Sequence, residues 1–257
     1  MTSFSLTSSS YQPYHLVSPS PWPFLTSASL LPTALSFIAY LHGLQLPALV
    51  LFLPLLSTTL IVTLWLKDIL RESILEGSHG TSSLYSQRTG ILLFIASEVA
   101  LFSSFFWAYL TSCLAPTTSI GCIWPPHGIS PILPTGLPLL NTLLLLTSGF
   151  SLTIAHHRLV SASASLTQPI NSLILTILFA IAFTLIQLLE YTAASYTIAS
   201  GAYGSTFYLL TGLHGLHVLA GTIYLALSLQ RLLSNSFTLQ KHLQFECSAW
   251  YWHAPSS

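Results

Sequence analysis

Residues 90–110, GILLFIASEVALFSSFFWAYL, form an unbroken apolar run of 21 residues carrying a single charge, Glu98. A helix needs about 20 such residues to cross the roughly 30 Å hydrocarbon core of a bilayer, so this stretch dictates a transmembrane helix. A carboxyl inside such a span marks a candidate functional site. On a helix its neighbours three and four residues away are Phe94, Ile95, Leu101 and Phe102, and none can hydrogen-bond a carboxylate. The sequence therefore demands either a partner from another helix or a protonated Glu98.

The rest of the chain agrees with a membrane setting. Of its 257 residues, 52% are hydrophobic and only 5% charged, against about a quarter charged in soluble domains. The net charge is zero, which argues against a nucleic-acid partner. The first 66 residues hold no Lys, Arg, Asp or Glu. They lack the basic signature of a secretory signal or a transit peptide, so insertion is expected through the helices themselves. Cys113, Cys122 and Cys247 form no CxxC pair and read as free thiols rather than as a disulfide framework.

Six spans are expected, at about 25–44, 46–66, 90–110, 137–156, 170–190 and 203–229. Before them, Pro19, Pro21 and Pro23 are expected to prevent a helix. Pro32 and Pro54 fall inside the first two spans and should bend them. The connection at 67–88 holds Lys67, Asp68, Arg71, Glu72, Glu76 and Arg88, six of the twelve formal charges. A seventh apolar segment begins at FECSAWYWH, residues 245–253. With six crossings, all six basic residues (Lys67, Arg71, Arg88, Arg158, Arg231 and Lys241) fall on the side that carries the N-terminus. The positive-inside rule makes that side the cytoplasm or the mitochondrial matrix.

Glu98 lies ten residues past Arg88, about 15 Å into the membrane. His214 and His217 share one face of the sixth span, a spacing able to hold a metal or a haem. No facing pair completes a ligand set, so helix–helix hydrogen bonding is the favoured reading, with these two histidines as the candidate partners of Glu98. His156 and His157 are adjacent and point apart, a poor geometry for joint ligation. No metal site and no catalytic set are expected. Glycines 201, 204, 212, 215 and 221 suit close helix packing. Trp65, Arg71, His79 and Arg231 fall at the basic interface, where Arg beside an aromatic ring suits a phospholipid headgroup. A transporter coupled through Glu98 would call for further intramembrane charges or internal repeats. A haem-bearing cytochrome would use His214 and His217.

Eleven stretches, in order, resemble subunit III of cytochrome c oxidase: YHLVSPSPWP (14–23), LRES (70–73), SEVALFSSFFWAYL (97–110), LAPT (114–117), WPPHGI (124–129), PLLNT (138–142), the SG of TSGFSLTIAHH (147–157), EYTAASYTI (190–198), YGSTF (203–207), TGLHGLHVLAGT (211–222) and FECSAWYWH (245–253). The resemblance implies an all-α membrane protein. Its first two helices (residues 1–76) would form one bundle and the remainder (77–257) a larger one, with a lipid-filled V-shaped cleft between them. It implies a chain without a redox centre, set in the mitochondrial inner membrane with its N-terminus in the matrix. Such a chain lies against subunit I of complex IV, with subunit II in the same assembly, and the haem and copper are held by those partners. It supports proton uptake and the durability of the oxygen-reducing site. The family's intramembrane glutamate falls on Glu98, and its lipid-headgroup residues fall on Trp65, Arg71, Glu72, His79 and Arg231. The family continues through a seventh helix where this sequence reaches Ser257, so a separate chain is expected to supply that helix.

Overall fold

The computed structural model describes residues 19–44, 47–74, 81–161, 167–234 and 242–256. Among the described residues every regular element is helical: α1 (Trp22–Leu41), α2 (Ala48–Ile74), α3 (Thr81–Leu114), a 3₁₀ turn (Thr118–Ile120), α4 (Leu137–Val160), α5 (Thr167–Ala193), α6 (Gly201–Leu233) and α7 (Leu243–Ser256). The first six helices are each long and apolar enough to cross a membrane. Two compact units emerge, Met1–Gln87 and Arg88–Ser257.

The helices outrun the apolar spans read from sequence. The third covers 34 residues, about 50 Å at 1.5 Å per residue. It takes in Arg88 and the polar turn before it, because backbone hydrogen bonding continues into the interface where hydropathy has already fallen. The first helix begins at Trp22, not near 25. Pro21 caps it and Pro23 sits in its first turn, where a missing N–H is harmless. The expectation that these prolines exclude helix is therefore corrected at Pro23, while Pro19 and Pro21 stay outside it. Pro32 and Pro54 do lie within α1 and α2.

In the first unit, α1 and α2 pair as an antiparallel hairpin through small hydroxyl residues. Thr33 and Thr58 meet at 3.0 Å between their Oγ1 atoms. Thr58 also donates to the carbonyl of Pro54 at 2.9 Å. Trp22 Nε1 donates to Asp68 Oδ2 at 2.7 Å, tying the start of α1 to the end of α2. In lipid, where apolar burial between helices brings little gain, such contacts and close packing hold helices together.

In the second unit α4, α5, α6 and α7 share one core. Leu152, Leu173, Leu225 and Phe245, one from each helix, are fully buried. Ser151 and Thr176 hydrogen-bond at 2.7 Å between α4 and α5. The short α7 is wedged between α4 and α6. Trp252 Nε1 donates to Ser148 Oγ of α4 at 3.1 Å, and Ser228 of α6 donates to Ser248 of α7 at 3.3 Å. Large apolar side chains such as Trp107, Leu114 and Phe150 point outward, as a lipid or subunit environment requires. The three cysteines are free.

Candidate functional site

Glu98 projects from α3 toward α6 and α7. Its Oε2 lies 3.1 Å from His217 Nδ1. The other imidazole nitrogen, Nε2, lies 3.0 Å from the backbone carbonyl of Tyr251. Tyr251 closes the group: its ring stacks on His217 with centroids 4.0 Å apart and planes 10° apart, and its hydroxyl donates to Glu98 Oε1 at 3.5 Å. Phe94, one turn before Glu98, also stacks on Tyr251, with ring centroids 6.1 Å apart. The carboxyl, imidazole and phenol thus form one contiguous cluster drawn from three helices.

The hydrogen count of the cluster follows from its geometry. A carbonyl oxygen only accepts, so the Nε2 atom facing Tyr251 must carry a hydrogen. In neutral His217 the Nδ1 atom is then a bare lone pair, 3.1 Å from Glu98 Oε2. The 3.1 Å approach becomes favourable only with a proton between the two, carried either by the carboxyl or by the imidazole. A proton shared by the pair would leave it without net charge and remove the cost of placing a lone carboxylate at this depth, about 3 kcal/mol or more. Glu98→Gln mimics the state with the proton on the carboxyl, because its amide can donate to Nδ1. Infrared difference spectra of that variant should lose one carboxyl band and change the His217 ring bands. Unchanged histidine bands would contradict the pairing.

His214, the other expected partner, is directed elsewhere. Its ring packs edge-on against Phe183 of α5 at 5.6 Å. It lines a cavity of about 420 Å³ with Asn141, Glu190, Tyr196 and Tyr203. Both side-chain polar atoms of Asn141, Glu190 Oε1 and His214 Nε2 find no hydrogen-bond partner among the described residues, although Asn141 and Glu190 are only 3% and 6% exposed. The cavity mouth lies at the ends of α4, α5 and α6 opposite the basic residues. There Tyr196, in the α5–α6 turn, has its phenol pushed up by burial and by neighbouring Tyr203.

The expected lipid residues divide between the two units. Trp65, Arg71 and Glu72 lie on the last turns of α2, with Arg71 exposed and Trp65 half-buried. Arg231 lies in the last turn of α6, where it donates to Gln244 Oε1. His79 lies outside the described residues. Tyr251 was missed as a member of the Glu98 cluster. Its motif, FECSAWYWH, reads as the start of a span, and nothing in its spacing points to α3.

The comparisons with known proteins extend over the whole chain. Residues 12–255 match the family model described as cytochrome c oxidase subunit III. Cytochrome c oxidase subunit 3 of the red alga Chondrus crispus is 46% identical over 255 residues, covering 98% of this chain and 93% of its own length. The proteins of that name from the ostrich, Struthio camelus, and from wheat, Triticum aestivum, are each 45% identical, covering 93% of this chain and 90% of their own. Together with the six apolar helices, the match of nearly the full length places the chain in the cytochrome c oxidase subunit III family.

Proposed function

We propose that this chain is a non-redox core subunit of cytochrome c oxidase, the complex that reduces oxygen and translocates protons, in the mitochondrial inner membrane. It lies against subunit I, with subunit II in the same assembly, and the haem and copper belong to those partners. Its work is to hold the oxygen-reducing subunit in its active form and to sustain proton uptake there. Bound phospholipids at Trp65, Arg71, Glu72, His79 and Arg231 are part of that support. The N-terminus faces the matrix. The observation that carries the reading is the near full-length family match. The mitochondrial setting follows the eukaryotic relatives. The orientation is supported by Arg71, Arg158 and Arg231, which sit in the last turns of α2, α4 and α6 and, by six crossings, on one side.

The Glu98 cluster fits a supporting role. The carboxyl is enclosed by its own chain, with Tyr251 donating to Oε1 and His217 Nδ1 beside Oε2, and an acid so enclosed is poorly placed to act on a substrate. Glu98→Gln should therefore leave assembly and most oxygen consumption intact. Oxygen uptake by the purified variant complex, normalised to haem, is the measurement. Normal assembly with abolished oxygen reduction would make Glu98 part of the reaction and overturn the supporting role.

A further inference from the structure

We propose that His156, His242 and Glu246 form a binding site for a zinc-class divalent cation at the basic end of the larger bundle. Each residue offers one ligand atom, and the three atoms lie within 4.8 Å of one another. His242 precedes α7 and Glu246 lies in its first turn, four residues on. His242 Nε2 stands 3.1 Å from Glu246 Oε1. His156 comes from the last turns of α4. Its ring is held by stacking on Phe245, with centroids 5.9 Å apart and planes 12° apart, and Phe245 is fully buried. His156 Nε2 is itself buried and has no hydrogen-bond partner among the described residues. The His242 and Glu246 side chains remain 11% and 18% exposed, which leaves an ion a way in.

The donor set selects the ion. Two imidazoles and one carboxylate, with a fourth position for water, match zinc. Calcium and magnesium prefer all-oxygen shells. Tetrahedral bonds of about 2.0–2.1 Å put ligand atoms roughly 3.4 Å apart, so side-chain rotations of about an ångström close the present spacing. Arg88 donates to Glu246 Oε2 at 2.8 Å. It leaves Oε1 for the metal, but its charge opposes a cation. Its side chain is 51% exposed and can withdraw into water. The bound ion would fasten the end of α4 to the start of α7, the helix that presents Tyr251 and Trp252.

The test uses the assembled complex containing this chain, stripped with a chelator and equilibrated with zinc alone. The native complex should bind one more ion than complexes carrying His156→Ala or Glu246→Gln. The extra ion should show two imidazole nitrogens and one carboxylate oxygen by zinc-edge X-ray absorption. Arg88→Gln should tighten that site about tenfold. Identical stoichiometry in native and variant complexes would overturn the proposal. A second reading needs no variant. In the native complex, zinc but not magnesium should slow diethyl pyrocarbonate modification of both His156 and His242 at least tenfold, followed by peptide mass spectrometry. Equal modification with and without zinc, including none in either case, would also overturn it.

Discussion

Gly204→Ala is expected to remove most of the assembled complex, although it adds one methyl group. Gly204 lies in the first turn of α6, directly beneath the carbonyl of Thr197 in the α5–α6 turn. A Cβ there would fall inside the van der Waals envelope of that oxygen and 3.2 Å from Ser200 Cβ. The obstacle is backbone, which cannot rotate aside as a side chain can. The turn is also fixed from both ends. The backbone N–H of Ser200 donates to Thr197 O at 3.0 Å. Tyr208 donates its hydroxyl to the carbonyl of Tyr196 at 2.9 Å. Tyr196 in turn packs edge-on against Tyr203 and Phe207, with ring centroids at 5.2 and 5.3 Å. Overpacking of a fixed site costs about 3 kcal/mol, a large part of a marginal stability. Gly212→Ala is the matched control. Nothing lies within 4 Å of a Cβ at Gly212, so alanine should be neutral or slightly helix-favouring. Native-gel yield of the complex separates the two. Equal yields would show that the α5–α6 turn is not fixed as described.

Trp252→Ala carries the second large effect. Trp252 is 2% exposed and fills the space between α4 and α6, with its indole N–H on Ser148. Its ring lies against the backbone of α6, where a Cβ at Gly221 would come 2.9 Å from Cε3. Deleting the indole leaves a cavity and strips dispersion contacts from both helices, a loss of about 3–5 kcal/mol. Because α7 also carries Tyr251, loosening it disturbs the Glu98–His217 pair. Thermal inactivation of the purified complex should shift down by several degrees or more. Gly221→Ala should destabilise on its own, since Trp252 has no room to retreat, and should be partly rescued by Trp252→Leu. Additive losses in that double variant would show that the two residues do not share the contact.

Several of these features are legible in the sequence, and the reason differs from one to the next. The spans follow from hydropathy, which the bilayer imposes directly. Depth arithmetic puts Glu98 and His217 about a turn apart, a gap that helix tilt absorbs, and the structure places them 3.1 Å apart. The same arithmetic cannot separate His217 from His214, because three residues along a helix change depth by less than a turn. Only the facing helix decides: His214 turns to Phe183 and His217 to Glu98. Helix ends were less legible, since hydrogen bonding outlasts hydropathy at Arg88 and before Pro23. Contacts made by α7 were least legible. Tyr251, Trp252, His242 and Glu246 act on α3, α4 and α6, distant in sequence, and no spacing rule spans such a distance. His156 read from its neighbour His157 alone is a poor ligand; beside His242 and Glu246 it completes a donor set.

The central claim is that this chain sustains an oxidase without performing its redox chemistry. The most direct measurement isolates the complex through a tag on this chain, then removes the chain with detergent and follows oxygen consumption by the depleted complex. The account predicts that the haem spectrum and the initial turnover are retained. Activity should then decay several-fold faster during sustained turnover, and the removed chain should show no haem absorption. A depleted complex that loses its haem signal to the tagged chain, or one that turns over as long as the intact complex, would contradict it.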